Sequence, residues 1–125
     1  MRELLTASPG AVAKAREFVA ECLLASDVGD APTADALLVV SELVTNAIRH
    51  GCNDDDEIVV ECSVAGRLLR VAVSDPARRA SVPVQLTPSE SREGGVGLAV
   101  VSAVSESWTD EFVDGRRLVV AHIPL

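Results

Sequence analysis

Strands that come in adjacent pairs, separated by helical segments, predict an α+β fold. The expected form is a two-layer α/β sandwich, with a mostly antiparallel mixed sheet and its helices on one face. Three observations carry this expectation. Apolar residues recur at helical spacing over 8–25 and again over 30–51. They alternate with polar residues in a 57–64 segment and recur densely over 68–75. Asp114-Gly115 then separates two further strand-like runs, a strong signal for a tight hairpin. With 125 residues the chain is expected to form one domain, 1–125. A chain of this length buries roughly two-thirds of its unfolded surface, so its core needs no metal or disulfide.

The elements follow in order. A short strand is expected over 3–7. Ser8-Pro9-Gly10 reads as a helix start, with Ser8 as the cap and Pro9 in the first turn, where its missing N–H costs nothing. Val12, Ala15, Val19, Cys22 and Leu23 continue at helical spacing, and this helix is expected to end near Ala25. Asp30-Ala31-Pro32-Thr33 opens a second helix with the apolar stripe Leu37, Val40, Val44, Ala47 and Ile48. His50-Gly51 closes it, with Gly51 expected in the left-handed conformation of a helix end. Asn53 to Glu57 is a polar turn whose acidic run lacks the spacing of a calcium loop. Two strands, 57–64 and 68–75, are joined through Ala65-Gly66-Arg67. The loop over 76–95 is long for a compact domain, and such loops are more often functional than decorative. A third helix is expected from about Gly97, carrying Leu98, Val101 and Val104. Trp108 to Val113 and Arg116 to Ile123 form the last hairpin.

Composition narrows the function. Hydrophobic residues are 48% of the chain and charged residues 24%, which is globular rather than disordered. Eleven basic against 19 acidic residues give a net charge of −8, a poor balance for nucleic acid. The only aromatics are Phe18, Phe112 and Trp108, too few for base-stacking platforms. Cys22, Cys52 and Cys62 show no metal-ligand spacing, and their odd number suits a reducing compartment, so a cytoplasmic location is expected. No apolar run approaches the ~20 residues of a membrane span.

Three groups of residues can carry chemistry. Glu42, Asn46 and Arg49 fall within roughly 60° of one another on the second helix, at about 100° per residue. One reading is a solvated polar face. The other is the floor of a pocket, because Val39 and Leu43 lie beside the strip and Asn is a poor helix former. A carboxylate beside an amide suits a hard cation such as Mg²⁺ near phosphate. Gly94-Gly95-Val96-Gly97-Leu98 is either a plain loop entering a helix or a phosphate site made of backbone N–H groups. It is neither a Walker loop nor a dinucleotide fingerprint. Asp75 either starts a turn before Pro76 or accepts hydrogen bonds from an exocyclic amine. The net charge does not exclude a nucleotide, since exposed charges beyond about 8 Å are largely screened.

Taken together, Ser41-Glu42-Leu43-Val44-Thr45-Asn46-Ala47-Ile48-Arg49-His50-Gly51 resembles the N box of the GHKL, or Bergerat-fold, ATP-binding proteins. The match is closest to the bacterial anti-sigma regulatory factor and serine-protein kinase branch. The strand ending in Asp75 looks like the adenine-contacting box, and Gly95-Val96-Gly97-Leu98 like the second glycine box. The resemblance runs over nearly the whole chain in the family's order. It implies ATP and Mg²⁺ as ligands. Asn46 would coordinate Mg²⁺, Glu42 would act as the catalytic base, and Asp75 would hold the adenine amine. Gly95, Gly97, Leu98 and Arg49 would belong to the nucleotide site. The implied acceptor is a serine on an anti-sigma factor antagonist, and a sigma factor is another implied partner. An alternative is a non-catalytic module that sequesters a transcription regulator. No nucleic acid or membrane partner is expected, and homodimers are common in the family. Two departures from the pattern stand out. Ala77 replaces an expected glycine, and Arg117 stands where the last strand often has a small hydroxyl residue. Arg78, Arg79 and Arg92 lie in the loop, roughly 77–94, that would form a lid.

Overall fold

The computed structural model describes residues 1–78 and 95–125. A strand β1 (Arg2–Thr6) leads into helix α1 (Ala11–Ala25) and helix α2 (Asp30–Asn46). A π-helical turn, Ala47–Gly51, extends α2. Strands β2 (Glu57–Ala65) and β3 (Leu68–Asp75) follow. Helix α3 (Gly95–Val104) and strands β4 (Ser107–Val113) and β5 (Arg116–Pro124) complete the described chain.

The five strands form one sheet in the order β1-β2-β3-β5-β4, and every pairing is antiparallel. The expected two-layer α+β architecture is therefore present, with an antiparallel rather than mixed sheet among the described residues. Both hairpins occur where their turn residues stand. Gly66 and Gly115 hold φ of 60° and 79°, which a Cβ would resist, and Asp114 holds 53°.

Strand alternation decides what faces the helices. Leu69, Val71 and Val73 of β3 point into the same core as Val119, Ala121 and Ile123 of β5. Against them pack Ala15, Val19, Cys22 and Leu23 of α1 and Val39, Val40, Leu43 and Val44 of α2. Arg16 ties the two helices together, donating to the Ser41 Oγ at 2.7 Å and the Leu37 carbonyl at 3.2 Å. On the other face Arg116 covers Ser74, donating to its Oγ at 2.9 Å.

Three expected boundaries change. Ser8 does not cap α1. Its carbonyl accepts the Ala11 N–H in a tight turn, and Gly10 stands at the cap position with no side-chain bond. The regular part of α2 stops at Asn46, and Gly51 is not in the left-handed region. Helix α3 starts at Gly95, two residues before the expected Gly97. Arg79, Arg92, Gly94 and most of the expected long loop lie outside the described residues.

Leu69 is fully buried between sheet and helices. Leu69→Ala is expected to lower unfolding free energy by about 2–5 kcal/mol, measured by urea denaturation.

Candidate functional site

Asp75 is the last member of the inward-facing β3 row that begins with Leu69, Val71 and Val73. Its position in the strand therefore drives a carboxylate under the helical layer, where only 2% of the residue remains exposed. The backbone at the helix end leaves room for it. A Cβ built on Gly51 would collide with the Asp75 carboxylate carbon and both its oxygens. Glycine is thus needed at 51 for close approach, not for its backbone angles. The π turn, which widens a helix by a residue per turn, occurs at this approach; such turns often mark functional positions.

The chain leaving β3 is fastened to the same place. The Ala77 N–H donates to Asp75 Oδ1 at 2.7 Å, and the Arg78 N–H to the Gly51 carbonyl at 2.9 Å. Ala77 holds φ of 55°. That is the left-handed region in which alanine costs roughly 1–2 kcal/mol and glycine is at ease. The substitution of Ala for the expected glycine therefore leaves the turn in a glycine-like conformation. The Arg78 side chain turns outward to Asp56, with Nε 3.1 Å from Oδ2. This pair pulls the Asp56 carboxyl below its ordinary range, chiefly through the hydrogen bond from Arg78.

Beside Asp75 lies a narrow cavity of about 10 Å³. Leu43, Asn46 and Ala47 close it from the helix side, Val73, Asp75, Arg117 and Val119 from the sheet floor, and Trp108 from β4. Arg117 sits directly across from Asp75 in the β3–β5 pairing. Its Nε and Nη2 grip Asp110 Oδ1 and Oδ2 at 2.8 and 2.6 Å, a bidentate pair. Burial raises the Asp75 pKa above its ordinary value, while the Ala77 N–H and the Arg117 charge pull the other way. Burial dominates because it removes water from a charged group.

Of the residues singled out from sequence, Asn46 and Asp75 meet at this cavity. Glu42, one turn earlier on α2, is half-buried and does not line it. Arg49 is exposed on the π turn. Gly95, Gly97 and Leu98 lie in the first turn of α3, a helix that packs against α2. Sequence reasoning missed Asp110 and Trp108. Both were legible in principle: the hairpin register set by Asp114-Gly115 puts them on the Arg117 side of the sheet. Two roomier hollows, of about 270 and 310 Å³, contain neither Asn46 nor Asp75.

The site chemistry is that of a recogniser. A buried carboxylate can accept from an amine, an amide oxygen can take part in cation binding, and the walls around them are apolar except for Arg117. Among the described residues there is no cluster of three His, Cys, Asp or Glu able to hold a metal unaided. Asn46 would therefore share a Mg²⁺ with phosphate oxygens and water, which that ion prefers. The buried acceptor has the chemistry to take a hydrogen bond from an amine, but the notch beside it is too small to hold a base as it stands.

Comparison with known proteins bears on the family and the architecture. Residues 5–121 match the family described as histidine kinase-like ATPase domain, and the chain belongs to that family. The RsbU and RsbW domains of Rv1364c from Mycobacterium tuberculosis match structurally with a TM-score of 0.71 and 22% identity. That match covers 100% of this chain and 32% of the other. The histidine kinase domain of a blue-light activated kinase from Erythrobacter litoralis matches with a TM-score of 0.55 and 27% identity. It covers 75% of this chain and 45% of the other. The chain thus spans less than half the length of either structure. Comparison with curated proteins finds no match. Among the described residues no helix is long and apolar enough to cross a membrane.

Three outcomes are expected. Gly51→Ala, which forces Asp75 aside, should cost about 1–3 kcal/mol in chemical denaturation, whereas Ala77→Gly should gain up to about 1 kcal/mol. Asp75→Asn should give a pH-dependent gain. Below the ordinary carboxyl value of 3.8, Asp75 is protonated in folded and unfolded chains alike. As pH rises through the raised folded value, the wild type loses stability relative to the variant, and the difference then stays constant. Thermal melts of both proteins at pH 3 and pH 7 check this, and the variant's advantage should be greater at pH 7.

Proposed function

We propose that this chain is an ATP-binding regulatory protein of the anti-sigma serine kinase type. The carrying observation is that Asp75, a buried carboxylate, and Asn46, from the helix with the N-box pattern, face one cavity. Family membership and the architecture shared with a structure that includes an RsbW domain support the same reading.

In this reading Asp75 accepts a hydrogen bond from the exocyclic amine of adenine. Asn46 contributes its amide oxygen to Mg²⁺. Backbone groups of Gly95, Gly97 and Leu98, in the first turn of α3, line the phosphates, helped by the partial positive charge of a helix start. Arg49 supplies a cation near the same triphosphate. Bound ATP would supply a transferable terminal phosphoryl group. Glu42 takes the proton from the hydroxyl of a partner serine, on an antagonist of an anti-sigma factor. Nucleotide and partner state together control the hold on a sigma factor, in the cytoplasm.

A second reading is favoured by one observation: Arg117, held by Asp110, occupies the cavity wall opposite Asp75. In that case the chain is a non-catalytic module, with ATP bound or without it, that sequesters a transcription regulator.

Calorimetry and labelled ATP decide between them. Asn46→Ala is expected to weaken Mg-ATP binding about tenfold or more, equivalent to at least ~1.4 kcal/mol. Equal binding would remove the metal role from Asn46. With labelled ATP and an anti-sigma factor antagonist as acceptor, Glu42→Ala is expected to reduce label transfer by roughly 10²–10⁴-fold. No transfer by the wild type despite intact ATP binding would favour the binding module.

A further inference from the structure

The same cavity carries an inference that rests on the nucleotide reading and goes beyond it. Its volume, about 10 Å³, holds on the order of one water molecule and no purine. Two of its boundaries cannot easily yield. Asp75 is fixed by the Gly51 approach and the Ala77 N–H, and Val73 and Val119 are paired partners inside the sheet. Arg117 is different. It is a long side chain whose backbone can stay in register while its guanidinium moves.

Asp110 keeps that guanidinium in place. The two parallel hydrogen bonds of 2.8 and 2.6 Å are shielded from solvent, with the Asp110 side chain 5% and the Arg117 side chain 17% exposed. Few arrangements hold an arginine more firmly, because releasing it leaves a buried carboxylate without its cation. The Arg117 charge also acts on Asp75, directly across the β3–β5 pair. One cation therefore serves two inward-facing carboxylates on a sheet floor that would otherwise carry only negative charge.

We propose that Arg117 is the gate of the base pocket: clamped by Asp110, it fills the space opposite Asp75 and must be displaced for a purine to reach that carboxylate. The gate selects as well as obstructs. When the guanidinium withdraws, Asp75 loses a stabilising charge, and a base that brings an amine donor restores a partner to it. A base edge without a donor opens the pocket and leaves the buried Asp75 with the Ala77 N–H but without the Arg117 charge.

Calorimetric titration of Mg-ATP tests the gate in the full chain. The informative variant is Asp110→Asn/Arg117→Ala, which removes both charges together, since replacing a buried ion pair often leaves stability unchanged. It is expected to bind Mg-ATP about tenfold more tightly than the wild type. Asp110→Asn alone, which unclamps Arg117 without removing it, should fall between the two. Quenching or shift of Trp108 fluorescence, the chain's single tryptophan and a wall of this cavity, gives a second readout. Circular dichroism of both variants verifies that they fold. A double variant that folds and binds no more tightly than a nucleotide-binding wild type overturns the gate alone. Absence of Mg-ATP binding in both overturns the gate together with the nucleotide reading. Binding gained by the double variant over a silent wild type supports both.

Discussion

The close approach of Gly51 to Asp75 is the constraint on which the site depends. A helix backbone and a buried carboxylate meet with no room for a single methyl group between them. Everything local follows from that contact. Asp75 is held beneath the helical layer instead of turning to solvent, and the π turn sits where the backbone must make room. The chain leaving β3 is stitched back through the Ala77 and Arg78 N–H groups. Asn46 precedes this turn, so the same contact sets where its amide stands relative to the carboxylate.

Costly features gather at this end of the sheet. Asp75 is a buried acid whose charge is disfavoured by burial. Ala77 takes a backbone conformation that glycine prefers. Arg117 and Asp110 form an ion pair withdrawn from water, where such pairs seldom stabilise relative to apolar neighbours. In much of the rest of the sheet and helices local preference and packing agree: strands alternate, hairpin turns carry Gly66 and Gly115, and the inward helix faces are apolar.

The sequence made the architecture legible because its signals are local. Alternation over β2, the Asp114-Gly115 turn and the α2 stripe each depend on neighbours a few residues away. Asn46 and Asp75 could also be singled out, one as a polar residue beside an apolar flank, the other at a strand end before proline. What could not be read depends on contacts distant in the chain. Gly51 looked like a helix terminator, because its actual neighbour is 24 residues on and on another layer. Ser8 looked like a cap, since Ser-Pro-Gly suits a helix start as well as a tight turn. Arg117 looked like a misplaced charge. Its partner Asp110 becomes visible only once the register of the last hairpin is written out and both fall on the inward face.

Recognition of an exocyclic amine by Asp75 is the central claim, and the most direct measurement varies the amine alone. Calorimetry would compare ATP with purine riboside triphosphate, which lacks that group, under the same Mg²⁺ and pH. A hydrogen bond to a charged acceptor contributes about 1.5–3 kcal/mol, so the analogue is expected to bind roughly 10- to 100-fold more weakly. Equal affinity for the two nucleotides would contradict the account.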